Sequence, residues 1–321
     1  MKRFKNILYI FEGSVTQDNA IASTVSLAQN NQADLTIIDV IPLISAGIGM
    51  PPGGPISTDL QAARIADRRQ VLESLIAPYR QRLDINVDVL VGRQFLQVIH
   101  AVLRNRYDLV IKPAENPDYI DRLFGSDDMH LLRKCPSPVW LMKADETSNY
   151  QCIVAAVDFD PDDADSEEQM LNQEILELAS SLSLSDSAAL HLVHVWDSPE
   201  AGFIGLWADD PEAAEESLIE AARTLHEGAM KRLTRNLRKH IGSEAYEYLS
   251  PQIHMPRGEA KQAIPALVRD LNADLVVMGT VARSGIPGFI IGNTAEAILD
   301  QLQCSVLAIK PQGFVSPVKL D

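Results

Sequence analysis

The feature that most constrains this chain is that its sequence runs through one pattern twice. NILYIFE at 6–12 aligns with CIVAAVD at 152–158, an offset of 146. ADLTIIDV at 33–40 aligns with AALHLVHV at 188–195, an offset of 155. Gly92 falls on Gly258, and YDLVIK at 107–112 on ADLVVM at 273–278, both at 166. Gly125-Ser126 falls on Gly292-Asn293, and VWLMK at 139–143 on VLAIK at 306–310, both at 167. Offsets that grow slowly and never reverse describe a duplicated domain with small changes in loop length. The polar joint ADETSNY at 144–150 separates a last strand from a first strand, giving domains over 1–146 and 147–321. A chain of 321 residues suits two domains of roughly 100–200 residues each.

Each half alternates short apolar runs with helical patterns. In the first half, strands are predicted over 6–11, 35–40, 87–91, 109–111 and 139–142. Between them lie helical patterns over about 17–29, 58–83 and from Phe95. The second half repeats this order, with a long helix ending near His240 and a strand near Ile253. Strands alternating with helices imply parallel sheets, right-handed crossovers and one doubly wound α/β unit per half. In such sheets ligands bind beyond the carboxyl ends of the strands, where the strand order reverses. The ends of strands 1, 2 and 4 are therefore where chemistry is expected.

The second half carries a loop suited to that place. Leu275 to Met278 form an apolar strand that breaks at Gly279, a loop with Gly285, Pro287 and Gly288 follows, and Gly292-Asn293-Thr294 opens a helical pattern. A strand, a glycine-bearing loop and a helix N-terminus together hold anions well, because backbone N–H groups point at the ligand. This is neither a Walker A loop nor GxGxxG. It resembles the nucleotide loop of the universal stress protein family: Gly, two residues, Gly, nine residues, Gly, then Ser or Thr. Gly279 fits the first position and Gly292 the last, with Arg283 to Ile291 as the nine between. Ala282 stands in the second glycine position, and Asn293 stands in the Ser/Thr position with Thr294 next.

With the duplication, the resemblance covers nearly the whole chain. It implies two tandem flavodoxin-like (adenine nucleotide alpha hydrolase-like) domains and a stress-response regulator or sensor in the cytoplasm. Many members with the glycine-rich pattern bind ATP. Carried over by position, Asp158, Val195 and Met278 would meet adenine and ribose, and Gly279, Gly292, Asn293 and Thr294 the phosphates, with Arg283 adding charge. Acidic residues crowd the stretch after Asp158, so a bound triphosphate would need magnesium.

The first half departs from the pattern. Glu12 stands where Asp158 does, Pro113 replaces Gly279, and Glu115, Asp118, Asp121, Asp127 and Asp128 surround the loop. The expectation is that this half does not bind nucleotide.

Other signals narrow the function. Asp plus Glu is 44 against 28 for Lys plus Arg, a formal charge of −16, which argues against direct nucleic-acid binding. Three separated cysteines without CxxC favour a reducing compartment. No apolar run approaches the roughly 20 residues of a membrane span. His191 and His194 are three apart on a strand and face opposite sides, which leaves His194 with His254 as the pairing open to zinc. The default for both is a buried or edge histidine, and no metal is assigned. No nucleophile elbow, HExxH or poised general base is present, so catalysis is not expected. Two alternatives remain. The apolar loop AGFIGLW at 201–207, and its counterpart over 41–56, could line a pocket for a lipid-like ligand. Alternatively the chain is an interaction scaffold, its halves forming an intramolecular pseudo-dimer, or chains pairing as homodimers, along the last strand of each half.

Overall fold

The computed structural model describes residues 4–15, 17–44, 54–115, 123–143, 149–161, 167–198, 210–280 and 291–320. The chain divides into two compact units, one formed by 1–148 with 314–321 and the other by 149–313. The tail therefore belongs to the first unit, unlike in a division at a single point: Ser316 Oγ donates to Lys134 O at 2.7 Å, and His100 Nε2 lies 3.1 Å from Lys319 O.

In the first unit the order is β1 (Asn6–Ile10), α1 (Asp18–Asn31), β2 (Asp34–Ile41), α2 (Pro55–Ile76), β3 (Ile85–Val91), α3 (Gln94–Asn105), β4 (Leu109–Pro113), α4 (Ser126–Lys134) and β5 (Val139–Met142). All pairs are parallel, in the spatial order β3-β2-β1-β4-β5. The second unit runs β6 (Cys152–Ala156), α5 (Glu167–Asp186), β7 (Ala189–Val193), α6 (Pro211–Ile241), α7 (Ser243–Leu249), β8 (Gln252–His254), α8 (Ala260–Asp270), β9 (Leu275–Gly279), α9 (Asn293–Leu299) and β10 (Ser305–Ile309). Its parallel order is β10-β9-β6-β7-β8. The order reverses between β1 and β4 in one unit and between β6 and β9 in the other. Central strands are buried on both faces, with Ile7, Leu8, Tyr9 and Ile10 at 0% exposure, which explains their continuous apolar runs.

The sequence expectation of a helix over 58–83 is corrected. The helix ends at Ile76 and a 3₁₀ turn covers Ala77–Tyr79. Pro78 is the reason: a proline cannot donate to the carbonyl four residues back. Helix α7 was not expected. Gly242, at φ +90°, ends α6, and Ser250 closes α7 in the left-handed region. Cys135, Cys152 and Cys304 are buried, and none is in a disulfide.

The duplication extends to side-chain devices. The Asp108 carboxylate accepts the N–H groups of Lys5 (2.7 Å) and Asn6 (3.1 Å), so the residue preceding β4 fixes the start of β1. Asp274 does the same for Gln151 (2.6 Å) and Cys152 (2.9 Å) at the start of β6. Charged acceptors of this kind contribute roughly 1.5–3 kcal/mol. Asp274→Ala is expected to destabilise the second unit by about 1–2 kcal/mol, the exposed bond at Gln151 counting for less than the half-buried one at Cys152. Denaturant titration of the full chain checks this, and an unchanged midpoint would contradict it.

Candidate functional site

The strand carboxyl ends are fixed by a second repeated device. In the second unit, the Asp158 N–H donates to Asn172 Oδ1 at 3.0 Å, and Asn172 Nδ2 donates back to Asp158 O at 2.6 Å. Asn172 is buried on α5 and holds the chain as it leaves β6, while the Asp158 side chain stays exposed. In the first unit, buried Gln17 does this for Glu12, with bonds of 3.3 and 2.8 Å, and also accepts the Tyr9 hydroxyl at 3.0 Å. A carboxylate is thus presented at the point where each sheet reverses its order.

Around Asp158 the sequence-predicted residues fall as follows. Met278 is buried on β9, which pairs directly with β6 through Ala156. Gly279 ends β9, and a Cβ there would come within 2.9 Å of Leu171 Cδ2 on α5, so the glycine serves close helix packing. Val195 is half-buried, two residues past β7. Gly292 is buried, and its N–H donates to Thr280 O at 3.0 Å, closing the loop at its base. That N–H is therefore committed, a difference from the sequence expectation, which aimed it at phosphate. Asn293 and Thr294 are exposed in the first turn of α9, where N–H groups have no intrahelical acceptor. Arg283 lies outside the described residues, as do 201–207.

Three neighbours went unrecognised in the sequence. Lys310, buried just after β10, donates to Thr280 Oγ1 at 2.5 Å, so a cation supports the base of the loop. The Phe159 ring stacks on His194, with centroids 3.7 Å apart and planes at 15°. His194 Nε2 lies 2.8 Å from Nδ1 of His226 on α6, and the Trp196 ring is 5.6 Å from that of His226. Burial, then His226, lowers His194 to about 4, so its ring is neutral at physiological pH. His254 meets His191 at 2.9 Å instead of His194, which corrects the suggested zinc pairing. Among the described residues, no group of three or more His, Cys, Asp or Glu is arranged to hold a metal. Phe159 had a sequence signal, lying next to Asp158. His226 had none, because the topology that brings α6 over β7 decides its place.

The first unit fills the same place with charge. Lys112 on β4, 0% exposed, reaches Asp128 at 2.7 Å, Glu12 at 3.3 Å and Glu115 at 3.5 Å. Asp128, in the first turn of α4 and also fully buried, accepts the N–H groups of Glu115 (2.9 Å) and Gly125 (3.1 Å) with its other oxygen. A Cβ added at Gly125 would overlap the Glu115 carboxylate. In register, Lys112, Glu115 and Asp128 stand where the second half has Met278, Val281 and Ala295. Burial works against charge on Lys112, but Asp128, Glu115 and Glu12 together raise its pKa above the ordinary value. Burial also opposes the charge on Glu12, yet Lys112, Ser14 and Gln94 hold it below the ordinary range.

Two α/β units of parallel sheet, each presenting a carboxylate at its strand-order reversal, define a tandem flavodoxin-like protein. Comparison with known proteins gives the family. The model described as "Universal stress protein family" matches residues 3–143 and again 149–310, so the chain belongs to that family. It is similar to Universal stress protein E of Escherichia coli K12, 33% identical over 233 residues, covering 72% of this chain and 69% of that one. Universal stress protein E of Photorhabdus laumondii is 27% identical over 329 residues, covering 99% of both. A solved structure of a functionally unknown protein from Pseudomonas aeruginosa PAO1 shares the fold, with TM-score 0.68 and 23% identity over 97% of this chain and 94% of that one.

Lys112→Met, which installs the second unit's residue, would leave three carboxylates around an apolar side chain. Removing one partner of a buried ion pair costs about 3–5 kcal/mol. The first unit is expected to lose about that much stability at pH 8, and to recover part of it at pH 5. Chemical denaturation at both pH values measures it.

Proposed function

We propose that the chain is a nucleotide-responsive regulator of the stress response, binding ATP, with magnesium, in its second unit and not turning it over. The observation that carries this reading is the contrast between the two units at the same place. The first fills its strand ends with a lysine and three carboxylates. The second has an exposed Asp158, a half-buried Val195, a buried Met278 and the exposed first turn of α9. Met278 and Val195 offer apolar contact to a flat base, and Asp158 accepts from a ribose hydroxyl or an amino group. The N–H groups of Asn293 and Thr294 suit phosphate oxygens. Gly279 and Gly292 shape the loop between, and Arg283 belongs to the same proposed site. Magnesium would offset the acidic stretch after Asp158. Signalling by occupancy fits a site in which, among the described residues, no side chain is poised as nucleophile or base. Among the described residues no helix is long and apolar enough to cross a membrane; the cytoplasm is the proposed compartment.

Calorimetric titration of the full chain with ATP and magnesium is expected to show one site per chain. Thr294→Glu adds negative charge at an exposed position in the first turn of a helix, where acidic residues are neutral or favourable to stability. It should weaken ATP by about tenfold or more, 1.4 kcal/mol, without lowering the melting temperature. Unchanged affinity would remove the phosphate assignment, and no heat at all would remove the nucleotide reading.

A further inference from the structure

We infer that Glu115 is a carboxyl plug built into the first unit: it fills the place of an anionic ligand against Gly125 and is the group through which that unit responds to acid. The exclusion of outside ligands rests on the strand ends being the binding place. The response to acid rests only on the cluster itself.

Geometry gives the first part. Glu115 leaves the end of β4 and lays its carboxylate against Gly125, the residue that caps α4, where any Cβ would collide with it. Its own N–H and that of Gly125 converge on the same oxygen of Asp128, so the two ends of the 116–124 loop are drawn together. Only a glycine at 125 admits the carboxylate, and Gly125-Ser126 is the part of the loop pattern this half retains.

Charge gives the second part. One ammonium, Lys112, serves three carboxylates, and they are unequally placed. Asp128 is fully buried and closest, at 2.7 Å, with two N–H donors besides. Glu12 lies at 3.3 Å and has Ser14 and Gln94 as further donors at 2.9 and 3.3 Å. Glu115 is farthest, at 3.5 Å, with its side chain 24% exposed. Among the described residues, the groups facing it are Asp128 and Asp127 from α4, Glu12 from the turn after β1, and Lys112 from β4. Burial first, then Asp128, lifts its carboxyl to about 7 against an ordinary 4.5, and Lys112 offsets this only in part. A carboxyl raised by folding binds its proton more tightly in the native chain than in the unfolded one. The folded state is therefore favoured as pH falls through 7 toward 4.5 and loses that advantage as pH rises. Protonation takes the cluster from two excess negative charges to one, and the carboxyl can then donate.

The test is scanning calorimetry of the full chain and its Glu115→Gln variant at pH 5 and pH 8. Glutamine copies the protonated shape and cannot ionise. The transition that carries the first unit is expected to melt several degrees higher in the variant at pH 8, to coincide with the parent at pH 5, and so to change less between them. A variant that melts below the parent at pH 8 would show that Lys112 needs this carboxylate, and would overturn the inference. Equal slopes in the two proteins would overturn it as well. Glu12→Gln, which touches the same ammonium, is expected to keep most of the parent's slope; if it alone flattens the slope, Glu12 is the responsive group and the assignment fails. None of these readings involves ATP, so the nucleotide proposal can fail while this one stands, and the reverse.

Discussion

A parallel strand buried on both faces has nothing to offer a ligand along its length. Its backbone groups are spent on neighbouring strands, its side chains on the helices that cover it, and only its ends reach solvent. Both units are built under that constraint. The reversal of strand order between β1 and β4, and between β6 and β9, then singles out one gap along the row of strand ends. Everything else of functional interest follows from what each unit places in that gap. The amide clamps of Gln17 and Asn172 exist because the chain must turn out of β1 and β6 at a defined angle there. The carboxylates of Asp108 and Asp274 fix the opposite ends of the same strands, so each strand is located at both termini by side chains of the other elements.

The duplication then shows two solutions to one problem. An opening at the end of a sheet must be satisfied by a ligand or by the chain. In the second unit the base of the loop is tied by Lys310, Thr280 and Gly292, and the residues beside it are apolar or exposed. In the first unit the lysine comes from β4 and points into the gap, drawing three carboxylates in after it. Buried ion clusters seldom add net stability, because desolvation cancels most of the attraction. What Lys112 and its partners supply is occupancy, a defined filling for a space that the fold leaves open.

How much of this was legible depended on the kind of signal. The fold was legible because it is periodic: apolar runs near 6, 35, 109 and 139 recur near 152, 189, 275 and 305 with offsets that only grow, and any one of them supports the others. Gly125-Ser126 and Gly292-Asn293 were legible because a strand, a loop and a helix start occur in fixed order. The end of α2 falls short of the sequence expectation because the apolar spacing runs on to Leu83, while Pro78 lacks the N–H that would continue the helix. Lys112 was hidden inside a strand motif, where a lysine reads as an ordinary strand end. Its meaning comes from Asp128, Glu115 and Glu12, which converge only in three dimensions. The same holds for His226, which reaches His194 from a different element. The poverty of the first unit's loop was visible in its acids. That those acids share one buried cation was not.

The placement of the tail has a consequence for how the chain comes into being. Residues 314–320 belong to the first unit, through Ser316 on the last turn of α4 and Lys319 against His100. The first unit is therefore made from two separated stretches of the sequence, and the second is encoded entirely between them. During synthesis the early residues can assemble their sheet, but that body waits for its final strap until some 165 further residues have been made. A proteolytic cut after Gly313 would spare the second unit's own residues and detach from the first the strap that Ser316 and Lys319 anchor.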